Sequence, residues 1–289
     1  MTEQTVLDFF PAARLDTQRL RRAWQGSTAM TAPEGLLAQM GQQLLERLDD
    51  IKLVPGRILE LGDRTGLLAR QLQRRWPKAD IYALTFTESL ARQGRYRTLP
   101  WQRHPRNLVG SADALPFARG QFDLVISNMA LHWSPDLPAA LREIRRVLAP
   151  DRLLLFTVAG SESLWELHAC LTQVDQTEYG RSWVRRPELP SLSGLGHLLS
   201  ASGFVLPVAD RDRAVLSVPD LPWLLRQLKA LGAGNHMHNR PGHGLAGKTY
   251  LEKLEQAYRA GFRQPDNSLP CTIELLFGHA WKGADKTHT

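Results

Sequence analysis

The chain has 289 residues and a formal net charge of +7, with 43% hydrophobic and 22% charged residues. That balance belongs to a folded globular protein and excludes disordered and collagen-like chains. The longest apolar runs, such as 153–158, fall far short of the roughly 20 residues that span a bilayer. Residues 1–5 hold no basic stretch leading into an apolar one, so neither a membrane span nor a secretion signal is predicted.

From Thr17 to Leu48 the sequence reads as helical, with Leu36, Leu37, Met40, Leu44, Leu45 and Leu48 at spacings of three and four. Pro33 suits a first helical turn and Thr31 a cap. Short apolar strands follow at 57–61, 81–84, 107–110, 122–127 and 153–158. Helices are expected at 65–76, 88–96, 137–148 and 162–174. Strands alternating with helices predict a parallel sheet with helices on both faces. Beyond residue 175 the alternation loosens. A polar loop is read at 176–191, helices at 195–202, 222–231 and 248–262, and strands at 204–208 and 271–277. The glycine-rich stretch 232–247 reads as a loop, and the late helices as a cap over the open edge of the sheet.

In an open α/β sheet, ligands bind at the carboxyl ends of the strands where the strand order reverses, so the first strand and its turn are the place to look. They read Ile58-Leu59-Glu60-Leu61-Gly62-Asp63-Arg64-Thr65-Gly66. With the later strand Phe122-Asp123-Leu124-Val125-Ile126-Ser127-Asn128, this resembles the class I S-adenosylmethionine-dependent methyltransferases. The resemblance implies a Rossmann-like, mostly parallel seven-stranded sheet and donor-binding roles for Glu60, Gly62, Gly66, Asp113, Ala114 and Asn128. It also sets two departures: Arg64 stands at the middle glycine position, and Thr85 where an acidic residue meets the donor's ribose.

A narrower resemblance is carried by Leu131-His132-Trp133, by Asp136 to Leu141, by Leu228 to Asn235, and by Leu269 to Glu274 ending in Gly278-His279-Ala280-Trp281. Over roughly 35–283 these resemble the malonyl-acyl-carrier-protein O-methyltransferases of biotin synthesis. The mitochondrial complex I assembly factors of methyltransferase fold look similar over the same stretches. What the first of these implies is methylation of the free malonyl carboxylate on an acidic acyl carrier protein, a partner that suits the positive charge. His132, Trp133 and Asn128 then become pocket candidates, and Asn235, Arg240 and Lys248 candidates for recognising the acceptor anion. Members of that family carry a tyrosine over the donor pocket near the N-terminus; here Phe9-Phe10 occupies the region. A donor site lost on an inherited fold, or a different methyl acceptor, are the other readings the residues leave open.

The expected organisation is an N-terminal helical segment or lid (1–50), a donor-binding core (51–175), the remaining strands with a helical substrate cap (176–283) and a tail (284–289). Cys170 and Cys271 share no metal-ligand spacing and read as buried or idle thiols of a reducing cytosol. His236, His238 and His243 cluster in one glycine-rich loop without a cysteine or carboxylate beside them, a poor metal site. His168 and His197 read as structural or surface residues. The paired arginines form no run of the kind that binds nucleic acid.

Overall fold

The computed structural model describes residues 15–25, 35–62, 65–93, 103–239 and 247–284. Its sheet contains β1 (Arg57–Leu61), β2 (Asp80–Thr85), β3 (Arg106–Val109), β4 (Phe122–Asn128), β5 (Leu148–Ala159), β6 (Val205–Val218) and β7 (Leu269–Lys282). The spatial order is β3-β2-β1-β4-β5-β7-β6, so the direction of winding reverses between β1 and β4. The pairs from β3 through β5 are parallel, and β7 runs antiparallel to both β5 and β6. The expected mostly parallel seven-stranded sheet is therefore present.

Alternate residues of the central strands face opposite ways, and both sets are apolar, which is why these strands read as continuous hydrophobic runs. Leu59, Val125, Leu154 and Phe156 pack against α5 (Leu137–Val147) and α7 (Leu192–Ala201). Ile58, Leu124, Ile126 and Leu155 pack on the other face against α2 (Leu36–Glu46) and α3 (Leu67–Arg75). Asp136 caps α5 by accepting from the Ala139 amide at 2.8 Å, with Pro138 in the first turn.

Several sequence boundaries move. The helix read from Thr17 to Leu48 is two helices, α1 (Thr17–Gln25) and α2, with Gly35 extended before the second. Pro33 and Thr31 lie outside the described residues. α4 (Glu88–Gln93) ends earlier than expected, the rest of its predicted range being undescribed. α6 (Trp165–Tyr179) starts later than Glu162 and takes in the first polar residues assigned to a loop, stopping where Gly180 adopts a left-handed φ of 65°. β6 and β7 are each 14 residues long. The polar run through Asp210 to Arg213 hid the length of β6, because an edge strand needs ladder partners rather than apolar faces.

The cap also differs. α8 (Leu221–Ala230) and α9 (Lys248–Phe262) leave β6 largely exposed. They pack with α6 around Leu167, Cys170, Leu224, Tyr250, Leu254, Tyr258 and Cys271, where β6 ends and β7 begins. Val218 and Leu269 are buried there, whereas Val205, Leu206, Val208, Val215 and Leu216 along the edge stay exposed. Both cysteines are buried in this cluster, where burial pushes Cys170 up to about 11 and Cys271 up to about 12. They are inert thiols at neutral pH. Among the described residues, no helix is long and apolar enough to cross a membrane.

Candidate active site

β1 delivers its last residues to the point where the sheet's winding reverses, and the turn that follows is locally determined. Gly62 has φ +80°, and its amide donates to the Leu84 carbonyl at 2.7 Å. A side chain there would also meet the chain itself, since a Cβ would lie 2.1 Å from the Cβ of Ala130. Gly66, at φ +65°, starts α3. Two depressions open from this turn. One is lined by Glu60, Gly62, Thr65, Gln71 and Asn128, with Leu37, Ala38 and Gly41 of α2 as its far wall. The other is lined by Leu61, Gly62, Leu84, Thr85, Phe86, Gly110, Ala112, Ala130, Leu131 and Ser134. Gly62 borders both. The groove is therefore polar on one side of the turn and mainly apolar on the other.

The predicted residues divide accordingly. Glu60 is buried in the polar depression. Thr85 ends β2 in the apolar one, 3% exposed, and its hydroxyl has no hydrogen-bond partner among the described residues. A buried hydroxyl without a partner costs about 1–3 kcal/mol, so its position at a cavity wall points to a ligand that would satisfy it. Asp113 is half-buried just past β3 and accepts from the Ser111 hydroxyl. Ala114 is exposed, its amide bonded to the Ser111 carbonyl at 3.3 Å. Asn128 borders the polar depression, but both ends of its amide are engaged. Its Nδ2 donates to the Leu37 carbonyl at 2.8 Å, and its Oδ1 accepts from Thr157 at 2.9 Å. The side chain thereby ties α2 to β4 and β5.

His132 and Trp133 form a buried 3-10 turn after β4 and line neither depression. Trp133 belongs to a cluster with Leu15, Leu20, Trp24, Leu90, Ala130 and Met237, against which Phe86 packs. Trp24 lies 5.0 Å from Phe86 between ring centroids, so α1 rests on the wall of the apolar depression. Asn235 accepts from the Met237 amide at 3.0 Å, a loop-shaping bond, and the Asp16 amide donates to the His236 carbonyl at 2.7 Å. His236 itself is buried, which lowers its pKa against the opposing pull of the Gly232 carbonyl and Asp16. Lys248, expected at the acceptor, instead stands 92% exposed at the start of α9, 3.9 Å from Glu252. Asp63, Arg64, Arg240, His243 and Phe9-Phe10 lie outside the described residues. Among the described residues no cluster of His, Cys, Asp or Glu could hold a metal ion.

Sequence reasoning missed the α2 wall and the apolar lining. Gly41 inside a helix was a usable signal: a Cβ there would stand 3.2 Å from Asn128 Nδ2. Phe86 was another, an aromatic residue directly after the second strand.

The family described as "Methyltransferase domain" matches residues 59–156, which run from within β1 through most of β5. The chain is 37% identical to the malonyl-[acyl-carrier protein] O-methyltransferase of Halorhodospira halophila, covering 93% of this chain and 89% of that one. It is 35% identical to the protein of the same name from Gallionella capsiferriformans, over 95% and 93%. Among solved structures, the YcgJ protein of Bacillus subtilis matches with a TM-score of 0.56 at 14% identity, covering 84% of this chain and 99% of that one. The [4+2]-cyclase SpnF matches with a TM-score of 0.54 at 17% identity, over 96% and 99%. At those identities the two structures speak to the fold alone.

Proposed function

Because the chain belongs to the malonyl-[acyl-carrier protein] O-methyltransferase family, we propose that it methylates the free carboxylate of a malonyl thioester on acyl carrier protein, using S-adenosylmethionine as donor. The observation that carries the donor half of this reading is the two-part groove joined at Gly62. Its apolar part, walled by Phe86, Leu84 and Ala112, suits a planar base, and the partnerless Thr85 hydroxyl suits a ribose hydroxyl beside it. Its polar part, with Glu60 and Gln71, suits a zwitterionic amino-acid end. The residues present fit the donor, which supplies an activated methyl group on a sulfonium.

The acceptor carboxylate is ionised at neutral pH, so no general base is required. An oxygen lone pair forms the new O–CH3 bond as the S–CH3 bond breaks and its electron pair returns to sulfur. The sulfonium and carboxylate charges both disappear and no proton moves. What the protein contributes is alignment of the two reactants and exclusion of water. Phe86, a wall of the apolar depression backed by Trp24 and its cluster, serves the second role. A net charge of +7 favours encounter with an acidic carrier through electrostatic steering.

Calorimetric titration with S-adenosylhomocysteine tests the donor half of the reading. Saturable one-to-one binding, weakened by substitutions at Gly62 or Glu60, supports it. Absence of binding by the unmodified chain would mean that the fold has been kept without the donor.

A further inference from the structure

Two adjacent arginines follow α6 in sequence, and the structure treats them in opposite ways. Arg185 is fully engaged. It forms a two-pronged ion pair with Asp175, a carboxylate with no solvent exposure, and the Tyr250 hydroxyl donates to the same carboxylate at 2.6 Å. Burial alone would raise Asp175, but the bonds from Arg185 and Tyr250 and the charge of Arg185 hold it below the usual carboxylate range. Arg186 has no such partner. Its Nε donates to His168 Nε2 at 3.0 Å and its Nη2 to the Ser161 carbonyl at 3.1 Å. Both acceptors are neutral, and among the described residues it makes no ion pair within 4.0 Å. Burial lowers its pKa, offset only in part by the charge of Glu188. A guanidinium carries five N–H donors, so three find no partner among the described residues, on a cation partly withdrawn from water.

Its place in the fold gives that surplus a use. Ser161 lies two residues past the end of β5, and the segment carrying Arg186 is pinned across that end, the Ser161 amide donating to the Pro190 carbonyl at 2.9 Å. β5 neighbours β4, whose last residue Asn128 borders the polar depression. Asn128 pairs with Thr157, so Ser161 lies four residues farther along and one strand over, at the same carboxyl edge of the sheet as the groove.

We propose that Arg186 receives the acceptor's carboxylate, binding the oxygen that does not attack the methyl group, and that His168 and the Ser161 carbonyl hold it in position. This rests on the carboxyl-methylation reading and names the side chain that selects for an acceptor with a free carboxylate. The carboxylate loses its charge during transfer, so the contact weakens toward the transition state. It therefore acts on binding more than on turnover.

The test compares the unmodified enzyme with Arg186→Gln, Arg186→Lys and His168→Gln. For each, calorimetry gives the affinity for malonyl-carrier protein and, separately, for S-adenosylhomocysteine; steady-state assays give KM and kcat. Arg186→Gln is expected to weaken malonyl-carrier binding and raise KM by about tenfold or more, with Arg186→Lys in between. Its kcat and its affinity for S-adenosylhomocysteine should change by less than about threefold. Unchanged malonyl-carrier affinity in Arg186→Gln, or equal losses for carrier and donor with a lowered Tm, would overturn the assignment. An unmodified enzyme that binds malonyl-carrier protein through Arg186 but forms no ester would retain the anion site and refute the methylation reading. One that binds no malonyl-carrier protein would refute both.

Discussion

Gly62 and Ala130 lie back to back at the centre of the groove, the space for a Cβ on Gly62 being filled by the Cβ of Ala130 at 2.1 Å. The glycine is required twice over, by its left-handed φ of +80° and by this contact. Gly62→Ala is expected to destabilise the protein by at least about 1–2 kcal/mol from the backbone alone, with the clash added. Adding Ala130→Gly should return the clash part and leave the backbone part. Urea unfolding of the single and double variants measures the split, and an additive result would contradict the contact.

Thr85 supports a prediction in which stability and binding move apart. Its buried hydroxyl has no partner among the described residues, so Thr85→Val should leave Tm unchanged or raised. If that hydroxyl meets the donor, affinity for S-adenosylhomocysteine should fall by about two- to tenfold. Thr85→Asp should instead tighten binding, because a carboxylate accepts stronger bonds from two ribose hydroxyls. Calorimetry on the three proteins decides, and tighter binding by the valine variant would contradict the placement.

These two residues also mark how far the sequence could be read. Glu60, Gly62 and Thr85 were legible because a strand, its turn and the next strand's end are local, and their apolar pattern sets the register. The surroundings of Asn235 and Lys248 could not be read, because they depend on long-range packing. Asn235 shapes a loop pinned by α1, and Lys248 finds only Glu252. Arg186 was invisible for a different reason. Counting charges does not reveal which arginine has a carboxylate and which has only a histidine ring and a carbonyl.

Asn128 joins three elements through one amide. Asn128→Asp keeps the acceptor for Thr157 but sets a carboxylate oxygen against the Leu37 carbonyl. A loss of about 1–3 kcal/mol is expected, with hydrogen exchange showing that α2 opens first. Unaltered protection of α2 would mean that its seat depends on apolar packing alone.

His168 gives a pH dependence with a definite sign. Burial, with Arg186 and Arg185 nearby, pushes its pKa down to about 4 from 6.5. Below 6.5 the unfolded chain takes up a proton that the folded chain refuses, so this residue's contribution is complete above pH 6.5 and is lost as pH falls toward 4. The loss should be on the order of 1–3 kcal/mol. His168→Gln, which keeps an acceptor for Arg186, should flatten unfolding free energy against pH in that window. An unchanged slope would contradict a half-buried ring held neutral.

The most direct test of the central claim is transfer of a labelled methyl group from S-adenosylmethionine to malonyl-acyl carrier protein by the unmodified chain, with acetyl-carrier protein as the control. The account expects a base-labile ester on the malonyl group and none on the acetyl group, which has no free carboxylate. Tight donor binding with no malonyl ester, or equal labelling of both carriers, would contradict it.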